Sequence, residues 1–388
     1  MKVKNVVIIN DRNYIEGGSD KVAIYTAQEL SKKGINVIFF SAKSVKDSEI
    51  YGIKYVYTKQ NEALREKNKL KGMINGIYNF KAKIILKKIL KKLNPKNTII
   101  HVHGWTKALS SSVFDIAFKM GFEVVLTLHD YFIECPNGAY FNYKKNEICE
   151  YIPLSKKCIK CNCDSRNYFF KIYRILRQFV QNKIVGLNKK LTNVITISDF
   201  SEKVLKQTLQ KNIKIKRIYN PIDIPSKTKK INNKKNYFLY VGRVAQEKGV
   251  EIFCRAITEL KLNGIVVGEG RELDRLKNTY SNINFVGWKN KTEVSKYMED
   301  AEALVFPSIW YETAGLTVIE AQKLGTPCIV NRNTAASEFL EYGNLYSNYE
   351  ELKKCLSNKK YYKIEKSYND ENYIDKLMEY FEEIIMEK

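Results

Sequence analysis

Short apolar runs alternate with helical stretches along this chain, the alternation stops at a basic polar segment, and then it starts again. Val3–Ile9 reads as a buried strand, followed by a Gly17-Gly18 turn, a helix over Lys21–Lys33 that ends at Gly34, and a strand over Val37–Phe40. Thr98–Val102, Glu123–Leu128 and Val194–Ile197 are runs of the same kind. Beyond residues 224–236 (IPSKTKKINNKKN) come Tyr237–Val241, Gly264–Val267, Ile283–Val286, Ala303–Phe306 and Pro327–Val330, with helices such as Val250–Lys261 and Lys291–Glu299 between them. Strands spaced by helices build parallel sheets covered on both faces. A chain of 388 residues also exceeds what one core usually serves. The expectation is α/β with two doubly wound domains, 1–223 and 237–365, joined by the linker 224–236. A C-terminal helix within 366–388 is expected to pack back towards the first domain. Ligands of such sheets bind outside the carboxyl ends of the strands, so the chemistry is expected in the cleft between the domains.

Charge divides the halves. Residues 1–235 hold 46 basic and 18 acidic side chains, whereas 236–388 hold 20 and 24. The first half is strongly cationic and is expected to face something anionic. The apolar run Val6–Ile9 is too short for a signal sequence, and no run approaches a membrane span. The chain therefore reads as cytoplasmic, and its eight cysteines are not expected to form structural disulfides.

The most informative stretch is Pro307–Ala321, PSIWYETAGLTVIEA. Glu312 and Glu320 lie seven residues apart around Gly315, where a helix can begin and offer free N–H groups to a diphosphate. Glu320 is then expected about two turns into that helix, facing paired hydroxyls. Around this block stand Gly17-Gly18, His129-Asp130, Asn220-Pro221-Ile222-Asp223, Gly242-Arg243 with Glu247-Lys248-Gly249, Gly268-Glu269-Gly270, and Gly325-Thr326-Pro327. Taken in this order, the motifs resemble those of the retaining GT-B glycosyltransferases of family 4, also called glycosyl transferase group 1. The resemblance runs along nearly the whole chain.

The resemblance implies the GT-B fold, two Rossmann-like domains facing a central cleft, and a nucleotide-sugar donor, UDP- or GDP-linked. It implies that Arg243 and Lys248 hold the donor diphosphate, so that catalysis needs no metal. Glu320 would accept from the ribose hydroxyls and Glu312 from those of the sugar. The backbone of Thr313, Ala314, Gly315 and Leu316 would lie beside the phosphate, Gly17 and Gly18 would approach it from across the cleft, Gly268 belongs to the donor side, and the base would sit near Trp288. His129, at a strand's carboxyl end, would stand near the donor sugar. Transfer with retention would go by front-face displacement as the diphosphate leaves. Ala314 departs from the aromatic that often precedes the central glycine, and Asn220-Pro221 departs from the usual Asn-Gly.

His101 and His103 alternate onto one face of a strand end, as a metal pair or as structural and acceptor-side groups. Cys135, Cys149, Cys158, Cys161 and Cys163 form a cluster whose C-x2-C element can chelate an ion. Part of the family carries such an insertion. Four of the five are expected to hold a structural zinc, with reduced thiols or a disulfide as the other readings.

Between Arg65 and Asn97 there are eleven cations and one Glu, with Tyr78, Ala82, Ile85, Leu86, Ile89 and Leu93 on one helical face and Lys81, Lys83, Lys87, Lys88, Lys91 and Lys92 on the other. Arg166–Lys190 has seven cations and no acid, with Phe169, Ile172, Tyr173, Leu176 and Val180 on one side. Basic amphipathic helices suit an anionic membrane surface. These features together lead to a glycosyltransferase of bacterial surface polysaccharide synthesis, peripheral at the inner face of the plasma membrane, acting on a lipid-linked glycan. The alternative is a nucleotide-sugar epimerase or another enzyme of the same fold without a membrane acceptor. Nucleic acid is not an expected partner: no zinc-finger His pair and no aromatic RNA-binding strand accompany the charge.

Overall fold

Each half of the chain closes around its own seven-stranded sheet. The structure, a computed structural model, describes residues 2–43, 45, 49–221, 235–364 and 372–388. Ile222, Asp223, most of the 224–236 linker and residues 366–371 lie outside the described residues.

The first sheet takes β1 (Asn5–Ile9), β2 (Asn36–Ser41), β3 (Lys54–Tyr57), β4 (Thr98–Val102), β5 (Glu123–Thr127), β8 (Asn193–Thr196) and β9 (Lys214–Arg217). A small hairpin of β6 (Phe141–Asn142) and β7 (Glu147–Ile148) stands apart. The sheet order is β3-β2-β1-β4-β5-β8-β9, all parallel. The second sheet takes β10 (Phe238–Val241), β11 (Gly264–Val267), β12 (Ile283–Gly287), β13 (Ala303–Phe306), β14 (Cys328–Asn331), β15 (Tyr342–Tyr346) and β16 (Tyr362–Lys363), in the order β12-β11-β10-β13-β14-β15-β16. Only its last pair is antiparallel. In both sheets the winding reverses beside the first strand, where β1 lies between β2 and β4 and β10 between β11 and β13. These switch points open the crevices in which such sheets hold ligands.

The central strands are apolar on both faces because helices cover both. Val7 and Ile9 of β1 enter one core with Ile100, Val102 and Leu126, while Val6 and Ile8 enter the other with Val22, Leu30 and Phe39. That second core is completed by the C-terminal helix Tyr373–Met386. It buries Leu377, Phe381, Ile384 and Ile385 against the first sheet's side of the molecule, although it follows the second sheet in sequence. Burying a leucine or phenylalanine side chain stabilises by roughly 1.5–3 kcal/mol, so this helix is a substantial part of that second core.

The loop after β1 is held by charge rather than by packing. Asp11 Oδ2 accepts from the Lys107 N–H at 2.9 Å, and its Oδ1 accepts from Ala108 and Leu109 at 2.9 and 3.0 Å. Arg12, buried, donates to Glu62 and to Asp20 Oδ2 (3.2 Å) and pairs with Glu16. Asp20 lies in the first turn of the helix Gly18–Lys32, so the network fixes where that helix starts.

The helix Phe80–Leu90 buries Ala82, Leu86 and Leu90, and Tyr78, Ile85, Ile89 and Leu93 pack against the same core, as its periodicity predicts. Lys83 differs from its neighbours: it bonds the Tyr78 hydroxyl and pairs with Asp115, both at 2.8 Å. The helix Tyr168–Phe179 differs more. Phe169, Ile172 and Leu176 are exposed, while Lys171, counted among its cations, is fully buried. Among the described residues, no helix is long and apolar enough to cross a membrane.

Candidate active site in the cleft

Four parallel strands of the second sheet deliver the donor-side residues from their carboxyl ends. Gly242 and Arg243 follow β10, Gly268 follows β11, Trp288 follows β12 and the Pro307–Glu312 segment follows β13. Gly268 has φ +135°, and a Cβ there would lie 1.9 Å from the Gly242 carbonyl oxygen. Only glycine can let the two strand ends approach so closely. Trp288 is 69% exposed.

The cations are already paired. Lys248 Nζ lies 2.5 Å from Glu312 Oε1 and 5.0 Å from the centre of the Trp310 ring. Glu312 is buried and also accepts from Ser308 Oγ at 2.9 Å. Arg243 Nη2 donates to Glu247 Oε1 at 2.6 Å, with the rest of the guanidinium open to solvent. Lys21, from the first domain, reaches across to Glu320 Oε1 at 3.1 Å. The helix after Gly315 runs Leu316–Lys323, so Glu320 stands just past its first turn rather than two turns in. Gly18 faces the start of that helix: a Cβ on it would lie 3.2 Å from Leu316 Cδ1. Thr313 Oγ1 donates to the His129 carbonyl at 2.9 Å. Gly18 with Leu316, Lys21 with Glu320, and the His129 carbonyl with Thr313 are thus brought together across the two domains, and Lys248 and Glu312 meet within the second.

The histidines form a row. His101 Nε2 lies 2.8 Å from Thr127 Oγ1, His101 Nδ1 lies 3.3 Å from His103 Nε2, and His103 Nδ1 lies 3.0 Å from His129 Nε2. His101 and His103 are therefore not a separate pair but the inner members of a chain that ends at the cleft. Burial pushes the His129 pKa down to about 4 and that of His101 to about 3, and lowers His103 well below its ordinary value. Burial acts in this direction because an imidazolium loses its hydration. All three rings are accordingly neutral hydrogen-bonding groups at physiological pH. Nitrogen-15 NMR at pH 6 is expected to show three neutral imidazoles, with none titrating near 6.5. A histidine half-protonated at pH 6 would contradict the arrangement. Close by, burial pushes the carboxyls of Asp130 and Glu134 up, to about 6 and about 7.

The cysteine segment packs beside this loop without forming a metal cage. Cys135, Cys158 and Cys163 are buried, but Lys171 Nζ lies between two of the sulfurs, 3.4 Å from Cys158 and 3.2 Å from Cys163. Burial opposes the lysine's charge, and the sulfurs of Cys163 and Cys158 outweigh it and hold its pKa up. Burial raises the thiol of Cys163 to about 12 and also raises Cys135 and Cys149. Zinc takes thiolates, and here the Lys171 ammonium stands against two of the sulfurs that would have to supply them. Among the described residues, no group of three or more His, Cys, Asp or Glu is placed to hold a metal. Thiol titration of unfolded protein is expected to find all eight cysteines free, and elemental analysis to find well under one zinc per chain. A full equivalent of zinc would require Lys171 to leave the sulfurs.

Several residues of the site carry no sequence motif. Lys21 meets Glu320 from a position 299 residues away. Tyr311 packs its ring against Tyr140 and Phe200 of the first domain, and Glu338 accepts from the Asp199 N–H at 2.8 Å and from that of Phe200. Ser308 alone had a local signal, its four-residue spacing from Glu312.

The family model described as glycosyltransferase family 4 matches residues 16–225, more than half of the chain, and that of glycosyl transferases group 1 matches residues 222–363. The chain belongs to glycosyltransferase family 4. An uncharacterised glycosyltransferase of Methanocaldococcus jannaschii is 26% identical over 61% of this chain and 66% of its own length. A galactosyltransferase of Escherichia coli, named for UDP-Gal and α-D-GlcNAc-diphosphoundecaprenol, is 26% identical over 37% of this chain and 43% of its own. The alignments span about two thirds or less of these relatives. Among solved structures, a glycosyltransferase from Rickettsia africae superposes with a TM-score of 0.63 at 16% identity over all of both chains. Anabaena HepE in complex with UDP-glucose gives 0.60 at 15% identity, over 99% of this chain and 94% of its own. The fold of this family 4 chain is GT-B.

Proposed function

We propose that this chain transfers a sugar, with retention of configuration, from a UDP- or GDP-linked donor to a lipid-linked glycan in the synthesis of a bacterial surface polysaccharide. The observation that carries the reading is the set of ready-made ion pairs at the cleft, Lys248 with Glu312 and Lys21 with Glu320. A donor diphosphate brings negative charge to Lys248 and Arg243. Glu312 is then released to accept from sugar hydroxyls and Glu320 from the ribose. As the sugar–phosphate bond breaks, charge grows on the diphosphate, and Lys248, Arg243 and the N–H groups at Gly315–Leu316 stabilise it in this scheme. Stabilisation of charge by groups that need not reorganise is the largest single source of catalysis in many enzymes. His129, neutral and held by His103, orients the sugar. No step in this scheme uses a metal.

The names of relatives support the substrates. HepE is described with UDP and with UDP-glucose, and the Escherichia coli relative is named for a diphosphoundecaprenol acceptor. A Klebsiella pneumoniae relative, 24% identical over 60% of this chain and 67% of its own, is named for its place in a cps region. An inner-membrane location fits the exposed lysines of the helix Phe80–Leu90, namely Lys81, Lys87 and Lys88 with Lys91 after it. The test is turnover of UDP- and GDP-sugars with and without a polyprenyl-diphosphate glycan, with NMR of the product's anomeric configuration. Release of nucleoside diphosphate that depends on the acceptor supports the reading. Epimerised donor with no transfer would replace it, and an inverted product would sink retention.

A further inference from the structure

The helix Tyr168–Phe179 is inside out. Its inward face is polar: Lys171 reaches Cys158 and Cys163, Arg174 pairs with Asp164 at 2.8 Å, Arg177 donates to the Pro136 carbonyl at 3.2 Å and Gln178 to that of Ile133 at 2.8 Å. Its outward face is apolar, with Phe169, Ile172, Leu176 and Phe179 between 44% and 60% exposed. The neighbouring helix Lys69–Ile77 comes so close that a Cβ on Gly76 would strike the Tyr173 hydroxyl, and it presents Leu70 and Ile74, 68% and 51% exposed. Ile184, beyond the end of Tyr168–Phe179, is 65% exposed. A helix on a water-facing domain carries the opposite arrangement, and a contiguous exposed apolar patch marks a contact surface.

The rim of this ridge is cationic. Lys69 and Lys71 flank Leu70, Arg166 lies 4.7 Å over the Phe170 ring, and Lys183 precedes Ile184. Residues 166–190 contain no acid. A second copy docking here would bring two cationic rims together, which repels. An anionic bilayer accepts both features at once, taking the apolar side chains at the acyl boundary and the cations among the headgroups. We propose that Phe169, Ile172, Leu176, Phe179, Leu70 and Ile74 form the surface by which this chain inserts into an anionic lipid bilayer. The polar face of the same helix bonds the 133–136 backbone, a few residues after His129, so the inserted ridge lies one helix thickness from the loop that leads out of the cleft. The proposal draws its purpose from the lipid-linked acceptor but does not depend on it.

The test uses the full chain with vesicles of phosphatidylcholine alone or with added phosphatidylglycerol, at low and high salt. The wild type is expected to sediment with the anionic vesicles and to keep part of that binding at high salt, because insertion is not screened. Replacing the four exposed side chains (Phe169→Gln, Ile172→Gln, Leu176→Gln, Phe179→Gln) is expected to weaken binding at least about tenfold at both salts. Circular dichroism should stay native, since the polar inward face of the helix, with Lys171, Arg174, Arg177 and Gln178, is left intact. Replacing Lys81, Lys87, Lys88 and Lys91 with Gln should weaken binding mainly at low salt. Undiminished vesicle binding by the four-Gln variant would overturn the proposal. So would a concentration-dependent dimer that the same variant abolishes, with no vesicle binding by the wild type. Donor turnover with a soluble acceptor, which the variant should retain, reports separately on the glycosyltransferase reading; its absence from wild type that still binds vesicles would remove that reading and leave the ridge standing.

Discussion

Lys248→Ala and Glu320→Ala are each expected to lower turnover by at least about tenfold while the fold persists. A hydrogen bond to a charged group contributes roughly 1.5–3 kcal/mol, and about 1.4 kcal/mol of lost transition-state stabilisation is tenfold in rate. The two variants should differ in stability. Lys248 is the cation beside the buried Glu312 carboxylate, so its loss leaves that carboxylate buried beside Ser308 without its cation and lowers stability as well as rate. Glu320 is partly exposed and pairs with Lys21, whose side chain is also partly exposed, so its loss should leave the melting temperature nearly unchanged. Initial rates at saturating donor, with thermal melts alongside, separate the two effects. Near-wild-type turnover in both variants would remove the donor site from this part of the cleft.

Asp11→Ala is expected to be the most destabilising single change in the loop after β1. The carboxylate is the acceptor for three consecutive backbone N–H groups, those of Lys107, Ala108 and Leu109. Two of these donors, Ala108 and Leu109, are buried, and each buried donor left without a partner costs about 1–3 kcal/mol, so a loss of roughly 2 kcal/mol or more is expected. Asp11→Asn keeps one acceptor oxygen and should lose less. Chemical denaturation of both variants checks the order, and equal stability of Asp11→Ala and wild type would mean that the segment finds other acceptors.

Much of the fold was legible because the strands that matter most are the most apolar. The bounds read from sequence for β4, β11 and β13 match those formed. β3, β9, β15 and β16 were not read. Lys54–Tyr57 and Lys214–Arg217 are short, lysine-bearing edge strands, the composition that keeps edges from pairing with other chains, and it hides them from a search for apolar runs. The cleft was legible where a motif concentrates several residues, as around Glu312 and Arg243. It was not legible where a single side chain arrives from afar, as Lys21 does. The histidine row lay between these cases. Two members are visible as an alternating pair, but the third joins only because β4 and β5 lie side by side, with His101 opposite Val125. The helix Tyr168–Phe179 shows what periodicity leaves out: it locates an apolar stripe but not the side from which water is missing, and here the protein's interior holds the polar stripe.

The row of rings from Thr127 to His129 also has a sense of direction. Each neutral imidazole has one proton for two nitrogens, so every link in the row needs a proton on one side and a lone pair on the other. Three such rings satisfy their links only when all three protons point the same way, inward or outward. The Thr127 hydroxyl can end the row in either sense, because it can donate or accept. What His129 offers the cleft at Nδ1 is therefore decided jointly with a hydroxyl two rings further in. A sugar hydroxyl that donates there and one that accepts there would select opposite settings of the whole row. Thr127→Val would remove the inner terminus and let the remaining rings settle without reference to it, while leaving every atom of the cleft wall in place.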